Sequence, residues 1–488
     1  MDSLEKRSTK SLSGYYDKDR LTNYEEYNEN DIPMSMEEKA LVRKIDLFLM
    51  PLVCLIDFFQ YIDKATLTYA VTLDFNKDLK LTGFQFSFIA SIFYLGYLLY
   101  QLPNNYFLQK APIKKYIGFL LFTWGTVIAC TAACNSFAQV AAMRFLLGFF
   151  EAGIYPALTL LISTFYRRSE QAARLGLFWI FNGIATIVGG LVSYGVATMG
   201  PSHGLSKWRW LMLILGCATC ATGVLSYFFL IDNPKSSALK LNAEQEILVE
   251  ERTRDNAVVR TTTIKKEQIY EALKEVRFWC FCISCFLMNL QNGAMSAYVS
   301  QIALNFGFTG IQASFITLGG GAAVILWIGG SVLLVQRINQ TIYMIAVLML
   351  IDVVGLILLL VITDVRLKLI GIYIMWAYTG AYVLIVASIS NNVTGYTKKI
   401  FYNGMFMIFY TIGNFVGPFL MVEDTKPSYA PAIITYICCN FVTAILVLIA
   451  RMKMAAVNKK RISNPSAEII NVEDDLTDVQ DPNFLYRL

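Results

Sequence analysis

The chain has 488 residues, of which 56% are hydrophobic and only 16% are charged, and its mean hydropathy is +0.50. Soluble domains carry about 25% charged residues, so this is the composition of an integral membrane protein. The modest net charge of +5 and the single histidine, His203, argue against a nucleic-acid partner, a metal centre and an enzyme that relays protons through histidine.

Residues 1–44 are polar and acidic and contain no apolar run after a basic start, so they predict a cytosolic tail rather than a cleaved signal peptide. A transmembrane helix needs roughly 20 apolar residues. Twelve segments meet this length, six on each side of a charged stretch, at 45–72, 84–108, 113–134, 138–166, 171–198, 209–231, 278–304, 313–336, 341–363, 367–391, 399–422 and 429–451.

The grouping predicts an all-α membrane protein with twelve transmembrane helices in two six-helix bundles. The bundles would span 45–231 and 278–451, with a central loop at 232–277 and a C-terminal tail at 452–488. Arg451, Lys453, Lys459, Lys460 and Arg461 follow the last span. The positive-inside rule therefore places this tail, and with it the N-terminal tail and the central loop, in the cytosol.

The first span carries a polar stripe. Its residues follow i, i+3, i+4, i+7, i+11 spacing: Asp57, Gln60, Tyr61, Lys64 and Thr68, with Asp63 at the edge. Such a stripe must face protein or a water-filled cavity rather than lipid. The alternative is that Asp63 and Lys64 mark a solvated helix end, but Asp57 lies in the middle of the span.

The fourth span contains Arg144 and Glu151, seven residues apart and therefore on the same face of a helix. Arg144 is near the predicted outer end and could extend to the interface. Glu151 precedes a long apolar run, so it must be paired, protonated or in contact with a cavity. Ionisable groups at this depth are usually functional.

Small residues are frequent in several spans, among them Gly148 in the fourth, Gly183 in the fifth and Gly319, Gly320 and Gly321 in the eighth. In lipid, glycines permit close approach of two helices. Packing is a sufficient explanation for most of them.

The C-terminal half offers amides and hydroxyls instead of charges, including Asn289, Gln291 and Asn292 in the seventh span and Asn414 in the eleventh. Asp352 is the exception, and we expect it in a packed or lipid-facing position away from any central cavity. A charged half and a neutral half suit a central cavity that binds an anion on one side and its polar groups on the other.

Three segments resemble one family of transporters: RKIDLFLMPL…QYIDKATLTYA, RFLLGFFEAGIYPALTLLISTFYRRSEQAARLGLFW and NNVTGYTKKIFYNGMFMIFYTIGNFVGPFL. They are similar to the major facilitator superfamily, and within it to the fungal allantoate permease branch of the anion:cation symporters. The resemblance covers roughly 40–450. It implies a monomeric plasma-membrane symporter that imports a small organic anion (a ureide, a vitamin or a small peptide) by alternating access.

The resemblance also implies roles for individual residues. Asp63-Lys64 matches the family's acidic–basic pair in the first span, and Arg144 and Glu151 match its pair in the fourth. The carboxylates would take the proton, which is the coupling ion, and the cations would hold the substrate's anionic group. No cofactor is expected. The further substrate contacts that we predict are Tyr61, Tyr97, Asn289, Asn292 and Asn414.

Asp57 is an additional acid outside the family pattern. We predict it as a third proton-coupling residue that alters the coupling stoichiometry, or as a residue that favours a substrate with a cationic group. Two alternative functions on the same fold stay open, a transport-dead nutrient sensor and a passive facilitator. The sensor is disfavoured by tails of only about 40 residues, and an ATP-driven pump by the lack of a GxxxxGK[ST] loop.

Overall fold

The computed structural model describes residues 35–199, 204–255, 265–426, 428–464 and 475–488. Every regular element in these ranges is a helix, which confirms the predicted all-α class. His203 and most of the predicted N-terminal tail lie outside the described residues.

The N-terminal half forms nine helices among the described residues. They are α1 (Met36–Lys64), α2 (Thr66–Val71), α3 (Phe75–Asp78), α4 (Gly83–Lys110), α5 (Ile113–Thr131), α6 (Phe137–Glu151), α7 (Ile154–Phe165), α8 (Arg168–Ala197) and α9 (Lys207–Phe229). The first and fourth predicted spans are each divided by a break, after Lys64 and after Glu151. Both breaks therefore fall directly beside ionisable residues that the sequence singles out.

Two short helices of the central loop, α10 (Ala243–Asp255) and α11 (Lys266–Lys274), lead to the C-terminal half. That half consists of α12 (Val276–Asn305), α13 (Gly310–Ile338), α14 (Thr341–Val361), α15 (Val365–Ile374), α16 (Ala377–Asn392), α17 (Tyr396–Val416) and α18 (Ala430–Ser463). Helices α1 and α18 extend beyond the predicted bundle limits at 45 and 451, so these limits fall inside helices.

Ten helical segments of the described chain are long and apolar enough to cross a membrane. The two further spans that the sequence predicts correspond to α12 and α17, which are absent from those ten. Both helices carry polar residues of the kind expected near a central cavity, Asn289 and Asn292 on α12 and Asn414 on α17. Their lower hydropathy is therefore consistent with a position between the bundles rather than against lipid.

Glycines bring several helices into close contact. A Cβ added to Gly148 of α6 would lie 1.9 Å from the carbonyl oxygen of Phe93 on α4. A Cβ on Gly321 of α13 would lie 2.7 Å from the carbonyl oxygen of Gly183 on α8. Only glycine permits these approaches, and the second one joins the two halves of the molecule.

The two halves are hydrogen-bonded at the ends of the helices that lie away from the central loop, which we call the far side. There the Gly83 amide donates to Glu423 Oε2 (2.6 Å), Ser87 bonds Tyr298 (2.7 Å), and Asn76 Nδ2 donates to Gln301 (3.2 Å). The opposite ends, next to α10 and α11, are called the linker side. The far side is therefore closed by direct contacts between the halves.

Candidate functional site

A cavity of about 120 Å³ lies between the two halves. Its charged lining residues, Asp57, Lys64 and Glu151, all come from the N-terminal half. Its other polar and aromatic lining residues are Gln60, Tyr61, Phe93, Tyr94, Tyr97, Tyr155, Asn182, Asn289, Asn292, Trp376, Tyr378, Thr379, Tyr382 and Tyr410. The described lining from the C-terminal half carries no charged side chain, in keeping with the asymmetry expected from the sequence.

Helix α1 contributes one polar face to this cavity. Asp57, Gln60, Tyr61 and Lys64 all line it, because residues three, four and seven apart share one side of an α-helix. Thr68 lies beyond the break in α2, where its hydroxyl donates to the carbonyl oxygen of Ser296 on α12. The predicted stripe is thus divided between the cavity and a contact between the two halves.

Lys64 is held at the interface of the two halves. Its Nζ donates to the Tyr410 hydroxyl at 3.1 Å and lies 5.1 Å from the centre of the Tyr94 ring. The ring faces stabilise the ammonium group by cation–π attraction. Among the described residues Lys64 forms no salt bridge, so its charge has no directly bonded acidic partner.

Asp63 lies next to Lys64 in sequence but points away from the cavity. It is fully buried, and its Oδ2 accepts hydrogen bonds from Trp124 Nε1 (2.8 Å) on α5 and Thr219 Oγ1 (2.6 Å) on α9. The structure therefore holds this carboxylate inside the N-terminal half, where it is not part of the described cavity lining.

Arg144 is also buried outside the cavity lining. Its guanidinium donates to Thr66 Oγ1 at 3.0 Å, and the Thr66 hydroxyl in turn donates to the Asp63 carbonyl at 2.6 Å. Thr66 is the first residue after the break at Ala65, so the break presents it to Arg144. Arg144 interacts electrostatically with Glu151 and Asp63, without a direct salt bridge among the described contacts.

Glu151 is the last residue of α6, is 1% exposed, and lines the cavity. Its Oε2 has no hydrogen-bond partner among the described residues. Its carboxylate interacts electrostatically with Lys64 and Arg144. The structure therefore places an acid with one unpaired oxygen near two cations, Lys64 in the cavity and Arg144 behind it.

The C-terminal wall is built on a cluster of three amides. Asn292 Nδ2 donates to Asn414 Oδ1 (2.8 Å), Asn414 Nδ2 donates to Asn289 Oδ1 (2.9 Å), and Asn292 Oδ1 accepts from the Tyr378 hydroxyl (2.9 Å). Asn289 and Asn292 line the cavity, whereas Asn414 supports them from behind. The cluster thus fixes the orientation of two amides toward a ligand.

Several lining residues escaped the sequence reasoning. Of the predicted aromatic contacts, Tyr61 and Tyr97 line the cavity, but so do Tyr94, Tyr378 and Tyr410. Tyr410 lies four residues before Asn414 and thus on the same face of α17, a spacing that could have identified it. Tyrosines are common in apolar spans, so composition alone did not separate the lining residues from packing residues.

Asp352 lies outside the cavity, as the sequence predicts. It is fully buried on α14, where Oδ1 accepts from Gln291 Nε2 at 3.0 Å and Oδ2 accepts from Asn440 Nδ2. Gln291 and Asn440 are bonded to each other at 2.5 Å, so the three side chains form one network inside the C-terminal half.

This architecture agrees with the sequence comparisons. The family model described as Major Facilitator Superfamily matches residues 53–418. The match covers most of the chain, and the chain belongs to this superfamily, as its motifs indicate. It is a transporter rather than an enzyme, embedded in a membrane through multiple apolar helices.

The curated relatives are transporters of similar length. The chain is 30% identical to the Thiamine pathway transporter of Saccharomyces cerevisiae, over 91% of this chain and 86% of that protein. It is 29% identical to the Allantoate permease of the same yeast, over 93% of this chain and 87% of that protein. An uncharacterized transporter of Schizosaccharomyces pombe, C1773.15, is also 29% identical, over 92% and 93% of the two chains.

Solved structures share the fold at low sequence identity. A D-xylose–proton symporter superposes with a TM-score of 0.62 at 11% identity, covering 83% of this chain and 97% of its own. A bacterial homologue of the lysosomal transporter Spinster, in an inward-facing and unoccupied conformation, gives a TM-score of 0.60 at 12% identity over 82% and 94% of the two chains. These likenesses show the fold alone.

Proposed function

We propose that this transporter is a proton-coupled symporter that imports a small organic anion by alternating access. The observation that carries the proposal is Lys64, a cation that lines the cavity and forms no salt bridge among the described residues. A cation without an acidic partner at membrane depth favours the binding of an anionic group. The relative named Allantoate permease supports a nitrogen-containing carboxylate.

Glu151 is the leading candidate for the proton carrier. When ionised, its charge offsets part of the positive potential of Lys64 and Arg144. Protonation would remove this negative charge and leave both cations to attract the substrate. Anion and proton would then be bound together, because opposite charges compensate each other most strongly in a low-dielectric site. Asp63 is the second candidate: its Oδ2 accepts two hydrogen bonds, its Oδ1 has no hydrogen-bond partner among the described residues, and its charge interacts with that of Arg144.

The contacts between the halves support alternating access. Lys64 belongs to the N-terminal half and Tyr410 to the C-terminal half, and their bond at 3.1 Å joins the two across the cavity. An anion on Lys64 would compete with the Tyr410 hydroxyl and so loosen this connection. The far-side bonds each contribute only about 0.5–1.5 kcal/mol, so substrate and proton binding can offset their loss when that side opens.

We place the protein in the plasma membrane as a monomer with both termini and the linker side in the cytosol. The orientation is supported by the basic cluster after the last span, which includes Arg451, Lys453 and Lys459, whereas the plasma-membrane location and the monomer rest on the family resemblance. The far side, which is closed, would then face outward. This structure would correspond to a state in which the substrate exchanges with the cytosol.

The test uses the full-length protein in liposomes with an external acid pH and a panel of allantoate, nicotinate and pantothenate. We expect accumulation of at least one of them, and loss of accumulation when a protonophore is added. Glu151→Gln should keep exchange of substrate across the membrane but lose accumulation. Uphill uptake by Glu151→Gln would contradict its coupling role.

The remaining outcomes separate the alternatives. Net uptake that ignores the protonophore would indicate a passive facilitator. Binding of a panel member without any uptake would indicate a sensor. Asp352→Asn is the matched control, since it alters a buried carboxyl outside the cavity, and it should leave accumulation intact in protein that folds.

A further inference from the structure

We infer that the cavity binds a zwitterion, with the carboxylate of the substrate on Lys64 and a cationic nitrogen on Asp57. The inference rests on the proposed transport function and narrows its substrate from an organic anion in general to a carboxylate that also carries a cationic nitrogen. Asp57 then contacts the substrate instead of carrying the coupling proton.

Asp57, like Glu151, is a buried acid of the cavity lining with a carboxylate oxygen for which no hydrogen-bond donor is seen among the described residues. Asp63 and Asp352 instead accept hydrogen bonds from fixed side chains. Asp57 is 3% exposed and lines the cavity, and its Oδ2 has no hydrogen-bond partner among the described residues. Asp63 receives two hydrogen bonds from Trp124 and Thr219, away from the cavity. A buried carboxylate without donors is costly, so the group that satisfies Asp57 is expected to come from a ligand in the cavity.

The spacing of the two charges matches a small molecule. Asp57 and Lys64 are seven residues apart on one face of α1, which places their Cα atoms about 10 Å apart along the helix axis. Both side chains line the same cavity, so one small ligand can contact the two opposite charges. Gln60 and Tyr61 line the wall between them and can bond the body of the ligand.

The charge balance also favours a zwitterion. The buried group around the cavity consists of Asp57, Asp63 and Glu151 against Lys64 and Arg144. With all five ionised the group carries one net negative charge, and one bound proton makes it neutral. A zwitterion keeps the loaded site neutral, whereas a monoanion returns it to a net negative charge that is unfavourable at membrane depth.

The aromatic lining can accommodate a cationic nitrogen. Seven tyrosines line the cavity, and one of them, Tyr155 at the start of α7, interacts electrostatically with Asp57. Aromatic faces attract ammonium and pyridinium groups. The end of the cavity at Asp57 therefore combines a carboxylate with a ring, while the end at Lys64 supplies the only described lining cation.

The experiment compares matched ligands on the full-length protein in detergent, with binding measured by the shift in melting temperature. One series is nicotinate (an anion), 1-methylnicotinate (a zwitterion) and 1-methylnicotinamide (a cation), each methylated on the ring nitrogen, and the other is butyrate, 4-aminobutyrate and butylamine. We expect the zwitterion of at least one series to bind about 10- to 100-fold more tightly than its anion, through a charged hydrogen bond from the ammonium group or, for the pyridinium, through charge attraction alone. Asp57→Asn should abolish this preference, and Asp57→Glu should restore part of it.

Asp352→Asn serves as the control, because that acid is satisfied by amides outside the cavity and its replacement should leave the preference unchanged. Three results would overturn the inference. The wild type could bind the anions as tightly as the zwitterions or more tightly, the preference could survive in Asp57→Asn, or no zwitterion could bind. If one of these results were found together with proton-driven uptake of a monoanion, the inference would be wrong and the proposed function would be retained. Zwitterion uptake that ignores the proton gradient would overturn proton coupling and leave the inference standing.

Discussion

The Oδ1 atom of Asp478 lies 2.9 Å from Nζ of Lys398, and both side chains are fully buried. Asp478 belongs to the last described segment, 475–488, and Lys398 to the start of α17. The same carboxylate contacts Arg277 at the start of α12 and accepts a hydrogen bond from Tyr486 at 2.7 Å. A segment that the sequence predicts only as part of the cytosolic C-terminal tail thus joins two helices of the C-terminal half on the linker side.

We expect Asp478→Asn to lower the free energy of unfolding by about 2–3 kcal/mol. Removing one partner from a buried charge pair is strongly destabilising, although Glu275 remains in contact with both Lys398 and Arg277 and limits the loss. Thermal unfolding in detergent measures the effect. Lys265→Ala is the control, because its pair with Asp475 is more exposed and should contribute less than about 1 kcal/mol.

The contribution of Asp478 should disappear in acid. Burial opposes its ionisation, but Arg277 and Lys398 outweigh burial and lower the pKa of Asp478 below the ordinary value of 3.8. Because the pKa is lower in the folded state, the stabilisation is fully present when the pH is above the pKa of the unfolded state. It is lost as the pH falls through the pKa of the folded state. The difference in melting temperature between wild type and Asp478→Asn should therefore be constant from pH 7 to about 5 and shrink below about pH 4.

A difference that shrinks on raising the pH from 5 to 7 instead would contradict this assignment. Comparing the two proteins at each pH cancels the effects of the other titrating groups, which both proteins share.

The helical repeat predicted which residues share one face of a helix. The partners of those residues depend on contacts with distant parts of the chain. The stripe from Asp57 to Lys64 needed only the helical repeat, so four of its members line the cavity as expected. The burial of Asp63 depends on Trp124 and Thr219, which are 61 and 156 residues away in sequence. Lys64 likewise contacts Tyr410 across 346 residues. The spacing of residues within α1 carries no information about contacts with residues so far away in the sequence.

The C-terminal segment shows the same limit. Its polar composition is that of a solvated tail, and Asp478 alone gives no sign of burial. It is buried because Arg277, 201 residues earlier, and Lys398 supply its charge partners. Asn392 fixes the end of the segment through bonds to the backbone of Arg487 at 2.7 and 2.9 Å. The pairing of charges across the fold, rather than hydropathy, determined this structure.

Gly148→Ala should destabilise the N-terminal half by about 1–3 kcal/mol, since the new methyl group would meet the carbonyl of Phe93 at 1.9 Å and force α4 and α6 apart. Gly330→Ala on α13 is the matched control, because an added Cβ there has no atom within 4 Å. Alanine is a better helix former than glycine, so the control should gain about 0.5–1 kcal/mol. Changes of the same sign in both variants would contradict a steric role for Gly148.

Lys64→Gln and Arg144→Gln should have different effects on ligand binding. Lys64 lines the cavity, so we expect its replacement to weaken binding of a transported carboxylate by about 1.5–3 kcal/mol, the contribution of a charged hydrogen bond. Arg144 lies behind the lining and donates to Thr66 at 3.0 Å, so we expect Arg144→Gln to weaken ligand binding less than Lys64→Gln does. It should destabilise the fold more, because it leaves Asp63 with an uncompensated charge. Binding titrations and melting curves on the two variants measure both quantities. If Arg144→Gln abolished binding while Lys64→Gln retained it, the substrate would have to reach past the described lining to the guanidinium, and Arg144 would be the primary anion-binding residue.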